Sequence, residues 1–205
     1  MTTAQRKPVI GLVGGIGSGK SLVADQLRRL GCGIVDADQL GRDAIAAPDV
    51  RAQIEAWWPQ VRADGGGIDR AALARVVFGD KAELRRLEDL VHPCVRAARQ
   101  VLHESFGRDP DVRAIVEDCP LLMEVGLDSE CDVIIFVHAS RPIRLARLKA
   151  KRGWSEEDLA RREKNQLPLD KKAGRADYKV DNDASEAECL AHVRGVFFQI
   201  LACMD

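Results

Sequence analysis

The sequence lacks several features that would settle a function class at once, and each absence removes a reading. No apolar run approaches the ~18 residues that a helix needs to cross a bilayer, and the opening MTTAQRKP has no apolar stretch of signal-peptide type. The chain is therefore expected to work in the cytoplasm, without a membrane partner. Net charge is also lacking: 31 Lys plus Arg against 32 Asp plus Glu leave −1 over 205 residues, so no global basic field names a nucleic-acid partner. The six cysteines (Cys32, Cys94, Cys119, Cys131, Cys189, Cys203) form no CxxC pair and no metal-ligand spacing, and read as reduced, mostly structural thiols. Internal repeats and low-complexity tracts are absent, which excludes solenoids and disordered tails. No Asn-Lys-x-Asp guanine motif occurs. The nearest string, Tyr178-Lys179-Val180-Asp181, has no Asn, which argues against a regulatory GTPase.

What is present is GGIGSGKS, Gly14 to Ser21, a match to Gly, four residues, Gly, Lys, then Ser or Thr. Val9 to Val13 reads as a buried strand entering it, and Leu22 to Leu27 as a helix leaving it. That setting is the one a nucleoside-triphosphate loop requires. Its glycines let several backbone N–H groups converge on phosphate oxygens, so Gly15, Ile16, Gly17, Ser18 and Gly19 form the cradle. Lys20 reaches the β- and γ-phosphates, and the Ser21 hydroxyl is placed to ligate Mg²⁺ beside ATP. A plain glycine turn would have no use for the Lys-Ser pair.

Further along, Ile34-Val35 predicts a second strand ending at Asp36-Ala37-Asp38, with Gly31-Cys32-Gly33 as a break before it. Residues i and i+2 of an extended segment share a face, so both carboxylates stand near the phosphates unless the chain turns between them. Asp38 then reads as a base, and Asp36 either as functional or as the cap of a helix over 39–46. Helical patterns over 50–57, 71–78 and 81–102 predict an inserted subdomain over about 49–103, with His92-Pro93 interrupting the longest one. His92 alone reads first as a packed or capping histidine and only second as a functional one. Strands are predicted over 113–118, 132–137 and 178–182, and a core helix over 186–202. Asp118, with Glu117 as competitor, ends an apolar strand where nucleotide-loop proteins place a residue for Mg²⁺.

The sum is an α/β fold: a P-loop NTPase-type three-layer sandwich with a mostly parallel five-stranded sheet, an inserted helical subdomain, which the family resemblance given below makes the substrate subdomain, and a small basic lid. The core is expected at 1–48, 104–140 and 176–205, and the lid at about 141–175. That lid stretch holds 12 Lys plus Arg against 5 Asp plus Glu. It reads either as a solvated basic face or as a lid closing on phosphates, with Arg147 as the arginine to test first.

Together the stretches resemble the dephospho-coenzyme A kinase family from about Val9 to Phe198. The carrying segments are Gly11-Leu12-Val13-GGIGSGKS, Val35-Asp36-Ala37-Asp38 with Arg42, His92-Pro93, Pro120-Leu121-Leu122-Met123-Glu124, the basic 144–152 segment, and Ala176-Asp177-Tyr178-Lys179-Val180-Asp181-Asn182. The resemblance implies transfer of the ATP γ-phosphate to the ribose 3′-hydroxyl of dephospho-coenzyme A. It implies Asp38 as the base and Arg42, His92, Pro93, Leu121, Leu122 and Glu124 as the acceptor pocket. Lys20 and Arg147 would serve the transferred phosphate, and Asn182 would join the nucleotide set. Two positions depart from the family pattern. Leu22 stands where a Thr is common, removing a hydroxyl contact to the α-phosphate, and Gly41 weakens the helix carrying Arg42 by about 1 kcal/mol relative to Ala.

Overall fold

The near-continuous apolar runs of two inner strands can be satisfied only by a sheet covered on both faces, and that is what forms. The structure is a computed structural model that describes residues 6–204; residues 1–5, most of the MTTAQRKP opening, lie outside the described residues. The strands are β1 (Val9–Gly14), β2 (Cys32–Asp36), β3 (Ala114–Asp118), β4 (Val133–His138) and β5 (Tyr178–Asp181). They are all parallel, in the order β2-β3-β1-β4-β5.

Alternation along β1 decides what covers each face. Ile10 and Leu12 enter a core with Val23, Ala24 and Leu27 of helix α1 (Lys20–Arg29) and with the last helix. Gly11 points the other way, where Leu122 and Ile134 come so close that a Cβ would lie 2.6 and 2.7 Å from their methyl carbons. β2 begins at Cys32, so Gly33 is strand rather than a break. The Phe106 ring occupies the space of its missing side chain, only 2.5 Å from where a Cβ would stand. Asp177 pins the opposite edge by accepting from Ile134 N at 2.7 Å, which fixes the register of β5 on β4.

The chain packs into two units. The first, Met1–Asp36 with Ser105–Asp205, holds the sheet. The second, Ala37–Glu104, is helical: α2 (Ala37–Ala46), α3 (Pro48–Trp57), α4 (Arg70–Gly79) and most of α5 (Lys81–Arg108). Val50, Ile54, Trp58, Val61, Leu73, Val77 and Val91 form its separate core. Trp58 Nε1 donates to Glu83 at 2.9 Å, and the Arg86 guanidinium lies 4.0 Å from the Trp57 ring centre. α2 forms despite Gly41, and it packs with this helical unit, earlier than the expected start near 49.

Two sequence expectations need correction here. α5 does not break at His92-Pro93: it runs on for 28 residues with Pro93 inside. Leu87, Leu90, Val91, Cys94 and Val95 pack on the same core from both sides of the proline, so burial outweighs the one backbone hydrogen bond that Pro cannot donate. Composition alone also understates α9 (Glu186–Met204), which has a mean hydropathy of 1.3 and enough length to cross a bilayer. Its Cys189, Val193, Val196, Phe197 and Ile200 instead build the sheet core. None of the six cysteines is in a disulfide, and burial pushes the Cys32 thiol up to about 12, so it behaves as a small hydrophobe.

The remaining helices, α6 (Arg141–Arg152), α7 (Glu156–Glu163) and α8 (Leu169–Gly174), follow β4 and belong to the sheet unit. Ser155 caps α7 through a reciprocal pair with Asp158.

Candidate active site

The loop between β1 and α1 turns at Gly17 (φ 80°) and at Gly19 (φ 92°), the residue before the helix. α1 has no side chain capping its N-terminus and no acidic residue in its first turn. Its positive end is therefore left to an anion, as a phosphate cradle requires. The loop is held from behind. Asn182, 2 % exposed at the end of β5, donates from Nδ2 to the Ser18 carbonyl at 2.8 Å. Arg147 of α6 donates to the Asn182 carbonyl at 2.8 Å and to the Ser18 carbonyl at 3.4 Å. Asn182 and Arg147 thus brace the cradle's backbone. A Cβ on Gly19 would stand 2.1 Å from Asn182 Nδ2 at a backbone angle other residues rarely adopt. Gly19→Ala is expected to weaken ATP binding at least about tenfold, since strain of ~1–3 kcal/mol adds to the loss of the Asn182 brace. Calorimetric titration with ATP checks it, and affinity within twofold of wild type would contradict this description of the loop.

Lys20 opens α1 and donates to Asp118 Oδ1 at 2.7 Å, both side chains being mostly buried. Asp118 ends β3 directly beside the loop, in register with Leu12 of β1 and Asp36 of β2. Glu117, its competitor in the sequence, is 1 % exposed inside the sheet. The Ser21 hydroxyl sits in the exposed first turn of α1. Leu22 packs against the sheet core, which accounts for an apolar residue there.

The basic stretch is less free than its charge suggests. Arg144, 4 % exposed, donates from Nη1 to the Ile16 carbonyl at 3.1 Å and to Glu163 at 2.6 Å. Arg141 pairs with Glu163 at 2.9 Å and Glu156 at 3.1 Å, and Arg161 with Asp158. Burial raises the Glu163 pKa, but the two arginines outweigh it and hold the carboxyl below its ordinary range. A cavity of about 200 Å³ lined by Arg141, Arg144, Glu163 and Gln166 lies in this region.

The acceptor residues divide. Leu121 is exposed, whereas Leu122 is fully buried under Gly11 and serves the core. Glu124 accepts from the Leu167 amide and from Lys172, each at 2.8 Å. Burial works against its charge, yet these donors keep its pKa below the usual glutamate value. Asp38 and Arg42 lie four residues apart on α2, Asp38 exposed in its first turn and Arg42 donating to Gln39 Oε1 at 2.7 Å. The chain turns between Asp36 and Asp38, because β2 ends at Asp36 and α2 starts at Ala37. The shared extended face therefore does not form. His92 and Pro93 are exposed on α5. The sequence reading missed Lys172 and Glu163, whose only trace was membership of a charged stretch.

The family model described as dephospho-CoA kinase matches residues 8–188. The chain is 38% identical to a dephospho-CoA kinase of Frankia casuarinae, over 96% of this chain and 85% of that one. It is 42% identical to that of a Synechococcus species, over 84% of each. A solved Thermus thermophilus protein is 33% identical and superposes with a TM-score of 0.81, covering 96% of this chain and 98% of the other.

Proposed function

Because the chain belongs to the dephospho-CoA kinase family, which catalyses the final step of coenzyme A biosynthesis, we propose how its own residues divide that work. The family's reaction passes the ATP γ-phosphate to the ribose 3′-hydroxyl of dephospho-CoA. The uncapped α1 N-terminus and the loop from Gly15 to Gly19 bind the ATP phosphates, braced by Asn182. Lys20 turns from Asp118 towards the β- and γ-phosphates, so that a positive charge stands where negative charge develops. Arg147, already on the Ser18 carbonyl, is a lid arginine beside the loop and adds to that charge. The single observation that carries the reading is the Lys20–Asp118 contact beside an uncapped, glycine-turned helix start.

Mg²⁺ fits the side chains present. Ser21 and Asp118 offer hard oxygen donors of the kind Mg²⁺ takes together with phosphate and water, and the ion supplies neutralisation of the phosphate charge. On the acceptor side, Asp38 meets the attacking hydroxyl, to orient it or to take its proton, and Arg42, His92, Pro93, Leu121 and Glu124 hold dephospho-CoA. Leu122 contributes by shaping the 120–124 turn from beneath. We assign the enzyme to the cytoplasm, supported by six cysteines that stay outside disulfides.

Relatives of the same fold phosphorylate other alcohols, so acceptor choice is the test. With ATP and Mg²⁺ fixed, kcat/KM is measured for dephospho-CoA, shikimate and gluconate. Dephospho-CoA is expected to exceed the others by at least about 10³, since a site built to hydrogen-bond its substrate rejects molecules lacking those groups. Comparable rates for a second acceptor would refute the assignment.

A further inference from the structure

The turn after β3 is gripped by groups the reaction does not use. Lys172 of α8 is 1 % exposed, and its ammonium donates to Glu124 Oε1 at 2.8 Å and to the Pro120 carbonyl at 3.5 Å. Gln166 Nε2 donates to the same Pro120 carbonyl at 3.5 Å. The Leu167 amide supplies a second donor to Glu124 Oε1 at 2.8 Å. A buried lysine–carboxylate pair is costly to build and is weak evidence for stability. One carboxylate oxygen of Glu124 thus holds both donors. The other, Oε2, is buried and has no hydrogen-bond partner, and Gln166 Oε1 is in the same condition. Buried oxygens of this kind are rare and mark places where a donor belongs.

We infer that Lys172 is a positioning residue for the acceptor: it fixes Glu124 so that Oε2 accepts a hydrogen bond from dephospho-CoA. Resting on the reading that Glu124 serves the acceptor, this specifies which part of the molecule is taken. A carboxylate oxygen without a partner accepts from hydroxyl, amide N–H or amine and has no donor to offer a phosphate oxygen. The 120–124 turn therefore binds a neutral, donor-bearing portion of dephospho-CoA, and its diphosphate goes elsewhere. Lys172 itself touches no substrate. Its ammonium keeps the carboxylate charged, and the two bonds to one oxygen set the direction of the other.

Lys172→Met keeps most of the stem and removes the charge. The acceptor KM is expected to rise about 10- to 100-fold while the ATP KM moves less than about twofold, a split that loss of fold would not produce. Glu124→Gln should raise the acceptor KM to a similar extent. Adding Lys172→Met to Glu124→Gln should then cost less than about twofold more, because Lys172 acts through Glu124. The double variant also removes both members of the buried pair, so it remains measurable if the single variant fails to fold. An unchanged acceptor KM in Lys172→Met would overturn the inference. So would an ATP KM that rises as much as the acceptor KM, or independent, multiplying effects in the double variant. Wild-type enzyme that forms no coenzyme A would overturn the underlying reading instead, and is seen before any substitution is made.

Discussion

Lys20→Ala is expected to lower kcat by about 10² to 10³, the usual cost of losing one fixed donor to developing charge. Lys20 is the first residue of α1, and its ammonium already stands among mostly buried partners, 2.7 Å from Asp118. In such surroundings water cannot replace it. The substitution also leaves the Asp118 carboxylate without its ion pair, which is expected to cost about 1–3 kcal/mol of stability. The fold should survive, since Lys20 has no place in the sheet core. Circular dichroism with a melting curve separates the two effects. A folded variant that keeps more than about a tenth of wild-type turnover would contradict the role given to the loop.

The second large effect concerns Asp38, where Asp38→Asn tests how the acceptor hydroxyl is handled. A general base contributes ~10² to 10⁴, but phosphoryl transfer passes through a loose transition state in which the attacking hydroxyl keeps its proton until late. Asn retains the size and one acceptor oxygen. If Asp38 mainly orients the hydroxyl, the loss falls near the low end; if it takes the proton, near the high end. ATP affinity should stay within about twofold, because the loop and its braces belong to the sheet unit whereas Asp38 lies on α2 of the helical unit. Intact turnover, or ATP binding weakened as much as transfer is slowed, would move Asp38 out of the acceptor role.

These two residues also show how far the sequence could be read. Lys20 was legible because its neighbours are local: strand, glycine loop and helix follow one another within 21 residues, from Val9 to Arg29. Asp38 was legible as chemistry but not as geometry, since the spacing of Asp36 and Asp38 left open whether the chain turned between them, and it does. Gly33 and Pro93 were read as breakers on local propensity. Tertiary packing overrides both: Phe106 fills the space beside Gly33, and the apolar stripe of α5 continues past Pro93. The grip on Glu124 was invisible for a different reason. Leu167 and Glu124 are 43 residues apart in the chain, and neither pattern nor composition says that a lysine in a basic stretch is the buried one. The same holds for Arg144 and Glu163, whose pairing turns an apparent excess of free charge into a brace between α6 and α7.

The most direct test of the account is the fate of the γ-phosphate. Wild-type enzyme with ATP, Mg²⁺ and dephospho-CoA is followed by phosphorus NMR of the purified product together with ADP release. One ADP should appear for each new 3′-phosphomonoester on the ribose, with little ADP formed when dephospho-CoA is omitted. ADP release without a phosphorylated acceptor, or phosphate on a different hydroxyl, would contradict it.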